Sequence, residues 1–110
     1  MTHEEFKRLY GEWQRQQAFI IMTKNEDYSN DDALANFKIA ANDIKSTPLK
    51  ALWVLVAKHL NAILKVVNGG ELKGDAFSEK CKDVANYMFF AYCLNLEKEK
   101  EKAEAQNLRD

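Results

Sequence analysis

The sequence predicts an all-α protein, a bundle-like single domain of four helices with a charged helical extension at its C-terminus. One Pro and four Gly in 110 residues are too few for a loop-rich or all-β chain. Apolar residues also recur at steps of three and four along four segments, which is the helical period. We expect the helical domain to cover residues 1–96. The charged segment that follows, residues 97–110, is expected to be solvated and to fray.

The first predicted helix covers residues 3–24. Thr2 and Glu5 have the spacing of a capping box, in which each residue satisfies a backbone N–H of the other. Gln16 and Gln17 interrupt the apolar stripe, so polar groups are expected to face the interior there. The stripe itself consists of Phe6, Leu9, Tyr10, Trp13, Ile20 and Ile21.

A loop is predicted for residues 25–30, which are rich in turn formers and include one aromatic residue, Tyr28. Ser29 or Asn30 is expected to cap a second helix that ends near Lys45. The buried stripe of this helix is predicted to consist of Leu34, Phe37, Ala41 and Ile44.

The third predicted helix begins at Pro48, with Thr47 as its N-cap, and ends before a Gly-Gly pair. Apolar residues cover most of its circumference, so it is expected to be buried by several neighbours. Lys58 and His59 lie within this surface. Burying a cation costs several kcal/mol unless a partner or a ligand meets it, which makes both residues candidates for function. The alternative is that Lys58 reaches solvent and His59 is a hydrogen-bonded core residue.

The fourth predicted helix follows Asp75 or Ser78 and is almost wholly apolar over residues 84–96, so it is expected to be the second buried element. Asn86 within this segment needs a hydrogen-bonding partner. A further stripe of this helix would point a carboxylate and an amide in one direction: Glu79, Asp83, Asn86 and Phe90.

The overall charge and the cysteines exclude several kinds of protein. A net charge of −1 offers no basic field for general binding of duplex DNA. Cys81 and Cys93 would lie roughly 18 Å apart on one helix, too far to form a disulfide with each other. No apolar run reaches the length of a membrane span, and the first residues lack a signal-peptide pattern. We therefore expect a cytoplasmic protein with reduced thiols.

Several polar and aromatic residues do not fit their apolar surroundings, and we expect them to share a pocket between the helices. Cations suit phosphate, an aromatic face suits a base, and amides and carboxylates suit its edge. The predicted ligand is therefore a nucleotide or another small anion. The candidate residues are Gln16, Gln17, Lys24, Asp27, Tyr28, Asn36, Lys58, His59, Asp83 and Asn86.

A catalytic role is left open by the sequence. There is no G-x-S-x-G, no Gly-rich phosphate loop and no C-x-x-C pair. Mg²⁺ prefers oxygen ligands, and Asp27, Glu79 and Asp83 are the carboxylates predicted to hold it. Asp31 and Asp32 are weaker alternatives, since acidic residues are common at the start of a helix.

Five short segments resemble the phage and prophage proteins of the nucleotide-modification-associated domain type. They are K-N-E-D-Y-S (24–29), A-L-A-N-F (33–37), W-V-L-V-A-K-H (53–59), G-E-L-K (70–73) and K-D-V-A-N-Y (82–87). The resemblance implies an all-helical phage protein that acts in nucleotide or modified-base metabolism. By position, the motif sites are occupied by Asp27, Tyr28, Asn36, Phe37, Lys58, His59, Asp83, Asn86 and Tyr87. Of these, all except Phe37 are candidate ligand-binding residues.

A more distant resemblance is to the helical MazG-type nucleoside triphosphate pyrophosphohydrolases, which bind Mg²⁺ through E-x-x-E and a later E-x-x-D. Residues 1–96 contain no E-x-x-E, and Glu79 stands four residues before Asp83 instead of three. A phosphate-binding site without chemistry explains the same residues, and in a phage it could sequester a nucleotide signal of host defence.

The assembly of the chain is a separate prediction. The third and fourth helices offer more apolar circumference than a chain of this length readily covers, so we expect a homodimer or a larger homo-oligomer. A helical adaptor that binds a partner protein is the alternative from another functional class.

Overall fold

The computed structural model describes residues 1–26 and 32–109. Within these residues the chain forms four helices and no strand: α1 (His3–Glu26), α2 (Ala35–Asp43), α3 (Pro48–Val67) and α4 (Ala76–Arg109). The predicted all-α, bundle-like fold is confirmed. The chain divides into two compact units, Met1–Ala33 and Leu34–Asp110.

The first unit consists of α1, and its start is as predicted. The backbone N–H of Glu5 donates to Thr2 Oγ1 at 3.1 Å, and the backbone N–H of Thr2 donates to Glu5 Oε2 at 3.3 Å. This reciprocal pair is the capping box. The helix ends at Glu26, two residues later than predicted. Of its predicted apolar stripe, Phe6, Leu9 and Tyr10 are exposed, whereas Trp13, Ile20 and Ile21 are half-buried.

In the second unit, α2 begins later than the sequence suggested. Leu34 is its N-cap, so the predicted cap at Ser29 or Asn30 is wrong, and both of those residues lie outside the described part of the chain. The helix ends at Asp43 because the following turn places Lys45 at φ +53, in the left-handed region. The backbone N–H of Ser46 then donates to the carbonyl of Ala41 at 2.8 Å.

The bounds of α3 agree with the prediction because both ends carry strong local signals. Thr47 Oγ1 accepts a hydrogen bond from the backbone N–H of Lys50 at 3.3 Å, and Pro48 is the first helical residue. At the other end Gly69 takes φ +91, and the N–H of Gly70 donates to the carbonyl of Lys65 at 2.8 Å. These contacts form a Schellman motif.

The core of the second unit lies where α2, α3 and α4 meet. Its centre is Leu34 and Phe37 at α2, Leu52 of α3 and Leu94 of α4. Val56, one turn after Leu52, is fully buried. Partly buried residues surround this centre: Leu49, Leu55, Tyr87, Phe90, Ala91 and Cys93.

The expectation that α3 and α4 are buried all round is wrong. The buried residues of α3 are Ala51, Leu52 and Val56, whereas Trp53 is 60% exposed. On α4 four apolar residues that were expected in the interior are exposed: Met88, Phe89, Tyr92 and Leu96. Ile44, predicted in the stripe of α2, is exposed as well. The physical reason is that α2 has nine residues, too few to cover the remaining circumference of two long helices.

The charged segment after residue 96 continues α4 as a helix as far as Arg109, so the predicted helical extension is confirmed. Lys38 Nζ lies 2.9 Å from Glu97 Oε2 and connects α2 to the start of this extension. Both side chains are partly exposed, so the ion pair contributes at most about 1 kcal/mol. Cys81 and Cys93 carry free thiols, as predicted. Across the described ranges, none of the helices has an apolar stretch long enough to cross a lipid bilayer.

Candidate functional site

A contact between α3 and α4 forms the centre of the candidate site. His59 Nδ1 lies 3.5 Å from Asp83 Oδ2, and the two side chains are 18% and 23% exposed. His59 follows Leu52 by seven residues and Val56 by three, so it belongs to the stripe of α3 that faces the core. The separation is at the long end of the hydrogen-bonding range, and the contact becomes an ion pair when the imidazole is protonated.

Three aromatic rings extend this contact toward α2. The ring of Tyr87 lies 5.3 Å from the imidazole of His59 with an interplanar angle of 40°. The ring of Phe37 meets Tyr87 edge-on at 6.2 Å and Phe90 at 5.4 Å. These separations are those of favourable aromatic pairs, so the rings link the three helices at the site.

Asn86 is buried between these groups and the core, with 8% of its surface exposed. It follows Asp83 by three residues on α4 and therefore lies on the same face. Because it is buried, its amide needs hydrogen-bonding partners, as the sequence indicated. Burying an amide without hydrogen bonds is costly, so the Asn86 side chain needs well-aligned hydrogen bonds in this position.

Of the two alternatives for Lys58, burial is wrong and exposure to solvent is confirmed. Asp83 lies against His59. Successive residues on a helix are rotated by about 100°, so His59 and Lys58 cannot both face α4. The same geometry applies to α2, where Asn36 is exposed and its neighbour Phe37 is buried.

The remaining predicted site residues are not brought together by the described structure. Asp27 and Tyr28 lie outside the described residues, and so does the side chain of Lys24. Glu79 is exposed on α4, one turn before Asp83. Among the described residues no three His, Cys, Asp or Glu side chains converge as metal ligands. Because the proposed Mg²⁺ shell includes Asp27, that shell stays a prediction.

Sequence reasoning missed two grooves in the second unit. One, of about 280 Å³, lies between the start of α3 and α4, with Lys38, Thr47 and Glu97 among its lining residues. The other, of about 660 Å³, is mostly apolar and includes Trp53, Val54 and Met88. The sequence does show an excess of apolar residues on α3 and α4, but it predicts that these residues lie in the core and do not line surface grooves.

We name Phe37, His59, Asp83, Asn86 and Tyr87 the His59–Asp83 cluster. Its members come from three of the segments quoted above, which lie far apart in the sequence and meet at the junction of α2, α3 and α4. The cluster combines an imidazole, a carboxylate, an amide and two aromatic rings. Such a set can hold a planar polar ligand.

Comparison of the chain with protein-family models, with curated proteins and with solved structures finds no match. The resemblance to the phage nucleotide-modification-associated proteins and to the MazG-type enzymes therefore depends on the quoted motifs and stays a prediction.

Proposed function

We propose that this protein binds a nucleotide, or a small anion derived from one, at the His59–Asp83 cluster. The observation that carries the proposal is the meeting of three separate sequence segments at one place, with His59 Nδ1 3.5 Å from Asp83 and the Tyr87 ring 5.3 Å from the imidazole. Withdrawing a carboxylate and an amide from water costs free energy, so packing alone does not explain why the two groups lie beside each other here.

Each group has a role that suits such a ligand. The rings of His59 and Tyr87 offer flat faces for a base, and the polar atoms of Asp83 and Asn86 can pair with its edge. Lys58, exposed beside His59, supplies a cation for phosphate. In a phage, this binding would serve nucleotide metabolism or would sequester a nucleotide signal of host defence.

Hydrolysis is the alternative chemistry at the same site. Asp83 and Glu79 lie one turn apart on α4 and would be the described ligands of Mg²⁺. Two carboxylates leave most of an octahedral shell to water and to phosphate oxygens, which is common for Mg²⁺. Release of pyrophosphate from nucleoside triphosphates with Mg²⁺, abolished by Asp83→Asn, would establish this activity.

Thermal unfolding with a panel of nucleotides tests the binding proposal. A ligand at one hundred times its Kd should stabilise the wild type by about 2.7 kcal/mol and raise Tm accordingly. Lys58→Met should remove most of that shift and leave the Tm of the free protein unchanged. Lys65→Met changes another exposed lysine of α3 and is the matched control, with an unchanged shift. A wild type that responds to no nucleotide would exclude the proposal.

A second candidate function is association through the exposed apolar residues of α3 and α4, with another protein or with a further copy of the chain. Trp53 and Tyr92 are each 60% exposed, which is unusual for large aromatic residues in a monomer. Light scattering tests self-association, for which we expect at least twice the chain mass of 12.7 kDa. If the chain is monomeric, this second candidate function is reduced to that of an adaptor that binds another protein.

A further inference from the structure

Helix α3 carries a line of apolar residues that the described structure leaves largely uncovered. Trp53, Leu64 and Val67 are 60%, 53% and 71% exposed. The line contains no charged residue and alternates steps of four and three, the spacing with which one helix packs along another. Its members are Trp53, Ala57, Leu60, Leu64 and Val67.

Helix α4 carries a similar line with steps of four, three and four. It consists of Ala85, Phe89, Tyr92 and Leu96. Phe89, Tyr92 and Leu96 are exposed, although the opposite face of the same helix contributes Leu94 to the core. The 660 Å³ groove connects the two helices, since Trp53 of α3 and Met88 of α4 both line it.

The exposed apolar residues of these lines supply part of the area that a stable interface requires. An aromatic side chain has a surface of about 150–250 Å², so Trp53, Phe89 and Tyr92, which are 53–60% exposed, together leave roughly 350 Å² uncovered. The exposed aliphatic residues Leu64, Val67 and Leu96 add to this area. A standard protein interface buries about 800 Å² on each partner.

We propose that this face docks on a second copy of the chain, with the two α3 helices antiparallel across a two-fold axis at Leu60. The inference depends on the self-association proposed above and adds its surface and its register. In this register Leu60 meets Leu60, Trp53 meets Val67, and Ala57 meets Leu64. Each of the last two pairs joins a larger side chain with a smaller one, which is how helices fill space evenly.

A parallel pairing of the same lines is less favourable for two reasons. It would place Trp53 against Trp53 and Ala57 against Ala57, which combines a crowded contact with a gap. It would also place the exposed Lys50 side chains beside each other. In the antiparallel register Lys50, near the start of α3, approaches the exposed Glu71 just beyond the end of the other α3, and the helix dipoles oppose each other.

Mass measurement tests the surface. By light scattering the wild type should have twice the chain mass, and Leu64→Glu should halve it because a carboxylate would be buried in the interface. Ile39→Glu is the matched control, since Ile39 is an equally exposed apolar residue on α2, outside the face. Circular dichroism verifies that both variants stay helical. A monomeric wild type, or a dimer unaffected by Leu64→Glu, would overturn the proposed surface.

Cross-linking tests the register separately. In a background with Cys81 and Cys93 changed to Ser, chains with Trp53→Cys are mixed with chains with Val67→Cys and oxidised. Both positions are exposed, so the substitutions do not weaken the core. We expect disulfides between the two kinds of chain and few within either kind. A dimeric wild type whose variants link only like to like, or not at all, would refute the antiparallel register while leaving both self-association and the nucleotide proposal intact.

Discussion

His59 and Asp83 meet because each lies on the stripe of its helix that faces the core. His59 continues the line of Leu52 and Val56, and Asp83 stands one turn before Asn86. Lys58 precedes His59 by one residue, and this places the two side chains in different environments: Lys58 is exposed, whereas His59 is half-buried. The imidazole of His59 therefore lies between the helices, and the ammonium group of Lys58 lies at the surface beside it.

The contact between His59 and Asp83 should be measurable as a coupling energy. Asp83→Asn and His59→Gln each remove one partner and keep the size of the side chain. In a double-mutant cycle analysed by urea unfolding, we expect a coupling of about 0.5–1 kcal/mol, because both groups are only partly withdrawn from water. Additive effects of the two substitutions would show that the proximity of these side chains has no energetic consequence.

Leu52 shows how much of the stability of the second unit depends on its small core. It is 2% exposed and belongs to the central cluster of buried residues with Leu34, Phe37 and Leu94. Leu52→Ala should lower the free energy of unfolding by about 2–5 kcal/mol, since it leaves a cavity where helices meet. Ile39→Ala, at an exposed position of α2, should change it by less than about 0.5 kcal/mol. Similar effects at both positions in denaturant titrations would contradict the core described above.

Helices α2 and α3 end in the same way with different residues. In both, the second residue beyond the helix takes a positive φ, but it is Lys45 after α2 and Gly69 after α3. A side chain in the left-handed region costs about 1–2 kcal/mol, and glycine avoids that cost. The end of α2 is therefore strained by its sequence, whereas the end of α3 is not.

This difference predicts opposite effects of two exchanges. Lys45→Gly should raise the free energy of unfolding by about 1 kcal/mol, and Gly69→Ala should lower it by about the same amount. Thr47→Ala, which removes the N-cap of α3, should also cost about 1 kcal/mol. Thermal and urea unfolding measure all three. Destabilisation by Lys45→Gly would mean that the lysine side chain contributes more at this turn than its backbone strain costs.

In the second unit as a whole, the proposed nucleotide site and the proposed dimer face lie on different stripes of α3. His59 belongs to the stripe that faces the core, and Leu64 belongs to the uncovered line. Leu64→Glu should therefore produce a monomer that still shows the nucleotide-induced rise in Tm, whereas Lys58→Met should remain a dimer without that rise. Light scattering and thermal unfolding on the same samples check both outcomes. Loss of both properties in either variant would indicate that the dimer completes the binding site.

The fold class and most helix ends follow from local chemistry. The capping box of Thr2 and Glu5, the Thr47 cap before Pro48, and Gly69 after α3 involve residues close in sequence, so their effects can be read without knowing the rest of the chain. The start of α2 has no such signal, and its prediction was wrong.

The sequence alone did not determine which apolar and polar residues are buried, because burial depends on the packing of segments that lie far apart in the chain. The sequence showed that α3 and α4 have too many apolar residues for one stripe, but not that α2 covers only the side with Leu52 and Leu94. From the sequence, Lys58 and His59 were equally strong candidates for a buried functional residue. The orientation of α3 toward α4 places only His59 between the helices. Phe37, His59 and Asp83 all lie in the sequence segments quoted above, yet the way they come together depends on how three helices pack. That packing is set by the total burial of side chains and not by any local pattern.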